Sequence, residues 1–75
     1  MASRETGIEN LITVVKTTNN TEVRLAAIVG LGYAGGPEAR NFLITLLQTD
    51  KRSLYRKAAA IALGRASSYV QYCNQ

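Results

Sequence analysis

The sequence predicts an all-α fold: a hairpin of two helices, copied once, so that four antiparallel helices stack as a short α-α superhelix. Three observations predict it. Residues 11–32 match residues 43–64 in one ungapped register, 32 positions apart, through the identical pairs Leu11/Leu43, Ile12/Ile44, Thr13/Thr45, Thr17/Thr49, Arg24/Arg56, Ala26/Ala58, Ala27/Ala59, Leu31/Leu63 and Gly32/Gly64. The second copy, Lys57-Ala-Ala-Ala-Ile-Ala-Leu63, is rich in strong helix formers and poor in β-branched residues, and a repeat that is helical in one copy is helical in the other. In the first copy Val23, Ala26, Ala27, Gly30 and Leu31 fall at i, i+3, i+4, i+7 and i+8, one apolar stripe of a helix that stops at Gly32.

The same stretch carries a competing signal. Ala27-Ile28-Val29 followed by Gly30-x-Gly32-x-x-Gly35 and a helix opening at Pro37 has the spacing of a dinucleotide-binding turn. Gly32-Tyr33-Ala34-Gly35 resembles the first turn of nucleotide-sugar dehydrogenases. That fold requires a second strand ending in an acidic residue about 20 positions past the glycines. Here residues 48–57 hold Gln48-Thr-Asp-Lys-Arg-Ser-Leu-Tyr-Arg-Lys57, with no apolar strand. The glycines therefore read as helix ends, and no cofactor is expected.

In order, residues 7–18 place Ile8, Leu11, Ile12 and Val15 at helical spacing, with Thr6 as cap and Glu9 early, where the helix dipole favours an anion. Thr17-Thr-Asn-Asn20 breaks this helix, because short polar side chains compete for backbone hydrogen bonds. A second helix runs from about Thr21 to Leu31. The link Gly32-Tyr-Ala-Gly-Gly36 leads to Pro37, suited to a first helical position because its missing donor would be unsatisfied there. The third helix, about 37–49, turns Ala39, Phe42, Leu43, Leu46 and Leu47 inward; the fourth, about 52–66, does so with Tyr55, Ala58, Ala59, Ala62 and Leu63. Ile28, Val29, Ile44 and Ile61 widen the apolar stripes so that each hairpin buries one face internally and one against the next hairpin. The chain thus reads as one domain, repeat one over about 7–32 and repeat two over about 37–66, with 67–75 either a stunted cap or an extension of the fourth helix.

Seventy-five residues, 47% of them hydrophobic, suit one small folded domain that buries only about 60% of its unfolded surface. No apolar run approaches the ~20 residues of a membrane span. The start lacks the apolar core of a signal peptide and the single Cys73 cannot form an internal disulfide, so a cytoplasmic, reducing location is the expectation. The net charge of +4 is uneven. Charges cancel over residues 1–32, whereas 33–75 carry Arg40, Lys51, Arg52, Arg56, Lys57 and Arg65 against Glu38 and Asp50. This asymmetry is compatible with an acidic partner, protein or nucleic acid, and equally with a solvated face.

Candidate chemistry is sparse. There is no His, no cysteine pair and no carboxylate cluster, so metal sites and nucleophile–base pairs lack raw material and no enzymatic activity is expected. Nothing in the sequence near Cys73 marks it as activated.

Val23-Arg24-x-Ala26-Ala27-x-x-x-Leu31-Gly32-x-x-Gly35-x-Pro37-Glu38-Ala39, followed by Leu43 and Leu46-Leu47, resembles the HEAT-like repeats of the phycobilisome lyase type over roughly residues 8–66. The resemblance implies a solenoid of helix hairpins and says less about activity, because such repeats serve bilin lyases, phycobilisome-degradation proteins, DNA-alkylation repair proteins and scaffolds. It also implies a ladder between repeats in which Asp50 holds Arg24, Arg56 or both; the first copy has Thr18 where the matching Asp would stand.

In such a solenoid the second helices line the concave side, so Leu25, Leu54, Lys57 and Arg65 are candidate partner-binding residues, joined by Val29 and Ile61 unless these two pack between repeats, with Lys51, Arg52 and Arg56 near the end of the strip. The leading expectation is a non-catalytic protein-interaction scaffold, self-associating through the open ends of the stack. Alternatives are an accessory to phycobiliprotein assembly or degradation, with an acidic phycobiliprotein-like partner, and nucleic-acid binding through Lys51, Arg52, Arg56, Lys57 and Arg65. Few aromatics accompany those cations, so base stacking is poorly provided for.

Overall fold

Helix-forming segments separated by very short polar or glycine links leave the chain little choice but to fold back on itself repeatedly. The computed structural model describes the backbone of residues 4–73 and the side chains of residues 6–67. Four helices and no strand make up the described residues: α1 (Arg4–Thr17), α2 (Thr21–Ala34), α3 (Gly36–Thr49) and α4 (Ser53–Cys73). They form a slab of 38 × 31 × 17 Å.

α1 begins at Arg4, so Thr6 lies inside its first turn instead of capping it. It ends where Thr17 turns its hydroxyl back to the Thr13 carbonyl at 2.8 Å. Asn20 then caps α2, its side-chain oxygen accepting the Val23 N–H at 3.0 Å.

α2 does not stop at Gly32. It continues through Tyr33 and Ala34 and is closed by Gly35, whose N–H donates to the Leu31 carbonyl at 3.1 Å. Gly35 alone separates α2 from α3. Its φ of 67° and ψ of −162° belong to a region essentially reserved for glycine, and Gly36 follows at φ 85°. Pro37 opens α3 as expected. The register counterparts of Gly35 and Gly36 are Ser67 and Ser68, and there the helix runs on, so α4 has 21 residues against 14 in α2. Of the two readings of residues 67–75, the backbone follows the helix extension as far as Cys73; the side chains of Cys73 and the late tyrosines lie outside the described residues.

The core comprises Ile8, Val15, Ala27, Ile28, Leu31, Ala39, Leu43, Tyr55, Ala59 and Ala62. The buried face of α2 is Ala27, Ile28, Leu31 and Gly32. Val23 and Ala26, assigned inward on helical spacing alone, are exposed, because α2 is covered on two adjacent sides, by α1 and by α4. Ile28 is fully buried at 0% exposure, whereas Val29, Ile44 and Ile61 are exposed.

The two hairpins, α1–α2 and α3–α4, join mainly through α2 and α4. The backbones approach closely there: a Cβ added to Gly32 would lie 2.9 Å from the Cα of Ala62. α1 and α3 touch much less. Phe42 and Leu46 on α3 and Val15 and Lys16 on α1 stand between them around a cleft of about 230 Å³. The slab is tight along one seam and wedge-shaped along the other.

Candidate interaction surface

The uncovered face of α2 and α4 holds the most exposed large apolar groups. Val29 on α2 is 47% exposed, Leu54 and Ile61 on α4 are 50% and 68% exposed, and Tyr33 is exposed beside them. Between the helices Val29, Ala58, Ile61, Ala62 and Arg65 line a groove of about 180 Å³. The groove exists because alanines on α4 leave no bulk to fill it. Arg65 is held at its edge, the guanidinium 4.6 Å from the Tyr33 ring centre. Lys57 is exposed on the other flank of α4. The result is an exposed apolar strip with one cation, Arg65, at its edge.

The residues proposed from sequence do not all converge here. Leu54 and Arg65 do; Lys57 lies with Arg56 on the outer side of repeat two, and Leu25 is half-buried and packs against the core. Arg56 lies on the outer side of repeat two, where Leu47, Ser53, Arg56, Lys57 and Ala60 line a shallow hollow. Arg52 borders the wedge between α1 and α3, and Lys51 is exposed in the α3–α4 connection. The basic residues are thus dispersed over several faces. Val29, Ile61 and Tyr33 complete the strip; their exposure depends on which side of each helix meets the neighbouring hairpin, which periodicity does not specify.

The ladder takes another form than the one expected. Asp50 bonds Arg52, not Arg24 or Arg56: one oxygen accepts the Arg52 backbone N–H at 2.8 Å and Nε at 3.1 Å, the other accepts Nη2 at 3.0 Å. A partner two residues away needs little chain ordering, so it wins over more distant arginines. The Arg52 side chain holds the Asp50 carboxyl below the usual carboxylate range; burial opposes this, and the Arg24 charge contributes to the lowering. Arg24 reaches repeat two through a ring, its guanidinium 5.0 Å from the Tyr55 centre, while Arg52 lies 4.4 Å from the same ring.

Both repeated arginines serve the end of the helix before them. An Arg24 Nη2 donates to the Thr18 carbonyl, and Arg56 Nε donates to the Leu47 carbonyl at 3.0 Å, so each supplies a donor where helix carbonyls run out of partners. Arg24 Nε is buried without a hydrogen-bond partner among the described residues.

No group of three or more His, Cys, Asp or Glu residues able to hold a metal occurs among the described residues. No helix among the described residues is long and apolar enough to cross a membrane.

Helix hairpins repeated in register, stacked through their second helices and offering an uncovered second-helix face, define the class of α-solenoid repeat proteins. Within that class the chain belongs to the HEAT repeats, whose family pattern it matches over residues 4–71. No curated protein and no solved structure matches it.

Proposed function

We propose that this chain is a non-catalytic protein-interaction module that receives a polypeptide on the α2–α4 face. The observation that carries the reading is the contiguous exposure of Val29, Leu54 and Ile61 around an apolar groove, since a monomeric surface rarely keeps such groups together without a use for them. Arg65 at the edge of the groove suits an acidic group on the partner. A phycobiliprotein is one acidic partner of this kind, supported by the sequence resemblance alone. Nucleic-acid binding is less well supported, because Arg52 is committed to Asp50 and Tyr55 and Arg56 to a helix carbonyl.

The test is affinity capture from the native host with the wild-type chain and with Ile61→Asp, which changes an exposed side chain and leaves the core intact. A partner retained by the wild type and lost by Ile61→Asp supports the reading. Equal retention by both sinks it.

A further inference from the structure

We infer that a second copy of this chain stacks end to end on the first, the outer side of repeat two receiving the outer side of the next copy's repeat one. This goes beyond the α2–α4 strip: it concerns the two end faces of the slab and uses the step that already relates one hairpin to the other.

The repeat register identifies the surfaces. Val15 lines the cleft shared with α3, Ile28 lies one turn before Gly32, and Gly32 lies against Ala62; all three are buried. Their counterparts 32 residues later are Leu47, Ala60 and Gly64, and Ala60 and Gly64 are exposed while Leu47 is half-buried at the edge of the hollow on the outer side. The receiving face of repeat two includes Phe42, Tyr55 and Ala62; its counterparts on repeat one are Asn10, Val23 and Gly30, of which Val23 is 46% exposed.

The notch at glycine is the most specific sign. At Gly32 an added Cβ would collide with Ala62, whereas at Gly64 it would meet nothing within 4 Å. A glycine in the middle of a helix weakens it, and Gly32 has a close neighbour that accounts for the absent side chain. Gly64 has none within the chain. The register brings Gly30 of the next copy, smaller than Ala62, over Gly64.

The side-chain pairs remain compatible when shifted by one repeat. Tyr33 and Arg65 stack on each other within the chain and are themselves 32 residues apart. In the stacked pair Arg65 therefore faces Tyr33 of the next copy, the same cation and ring in reverse order. The Arg24–Tyr55 contact becomes Arg56 beside Val23, an aliphatic stem on an exposed apolar group. The Lys16–Phe42 contact becomes Gln48 beside Asn10, two amides able to bond each other. None of the three shifted pairs sets like charges together. Because the two faces differ, the contact is heterologous and adds copies in a line instead of closing on a dimer.

The experiment is light scattering of the wild type from micromolar to millimolar concentration, with one variant blocking each face. Ala60→Arg blocks the outer side of repeat two and Val23→Asp that of repeat one; both sites are exposed. Gly64→Leu is a second block on the first face, placed where there is open space and helix propensity improves. Circular dichroism confirms that each variant retains its helices.

The wild-type mean mass should climb past the dimer without a plateau, and each variant alone should stay monomeric. An equal mixture of Ala60→Arg and Val23→Asp should form dimers and grow no further, since each variant brings one intact face. A wild-type monomer throughout, a plateau at the dimer, or growth indifferent to the variants overturns the inference. A monomeric wild type leaves the α2–α4 reading standing, because the Ile61→Asp capture tests that face separately.

Discussion

Gly32 of α2 lies against Ala62 of α4 so closely that a Cβ on the glycine would stand 2.9 Å from the Ala62 Cα and Cβ alike. This contact sets the spacing of the two hairpins. It also separates two glycines that the sequence presents as identical, because the matching position on Gly64 is empty.

Gly32→Ala and Gly64→Ala should therefore act in opposite directions. The first forces α2 and α4 apart and should destabilise by about 1–3 kcal/mol despite better helix propensity. The second meets no neighbour and should stabilise by about 0.5–1 kcal/mol. Thermal unfolding of the two variants at low micromolar concentration checks this; melting temperatures moved in the same direction would refute it.

The repeated arginines should also prove unequal. Arg24→Met removes a bond to the Thr18 carbonyl and a stack on the buried Tyr55 ring, and should cost about 1.5–3 kcal/mol. Arg56→Met removes one bond at an exposed position, and should cost less than about 1 kcal/mol. Urea denaturation midpoints decide the matter, and equal losses would show that the contact with Tyr55 contributes nothing.

Asp50 supplies a pH signature. Its carboxyl is held below the ordinary range by the Arg52 side chain, so its folded-state pKa is depressed relative to the unfolded value of about 3.9. The associated stability is complete above that unfolded value and disappears as pH falls through the lower folded one. Arg52 is largely exposed, so solvent screening keeps the contribution small. Wild type and Asp50→Asn should differ by a constant amount from about pH 5 to pH 8 and converge once the pH has fallen below the depressed folded-state value. A gap that persists undiminished at the acid end would rule out the ion pair as its source.

How far the sequence could be read follows the range of the forces involved. The helices and their pairing were legible from Leu11/Leu43 through Gly32/Gly64, because periodicity and repeat register are encoded locally. The end of α2 was not, since Gly32 is an ordinary helix stop unless a neighbouring helix occupies the space its missing Cβ leaves, and that neighbour is 30 residues away. Leu25 and Leu54 looked equivalent as free apolar groups. Leu25 lies on the side of α2 that meets the core, whereas Leu54 lies on the open side of α4, and only the stacking direction distinguishes them. Asp50 chose Arg52 over its more distant candidates for the same reason of proximity.

The wedge between α1 and α3 has a mechanical consequence. With the hairpins in close contact along the Gly32 seam and Phe42 and Lys16 lining the cleft on the other edge, rocking about the seam should be easier than sliding along it. The bulk lodged in the wedge then sets the curvature: a larger side chain there would tilt the hairpins and tighten the opposite surface. The shape of the α2–α4 face would then depend on what fills the cleft on the far side of the molecule.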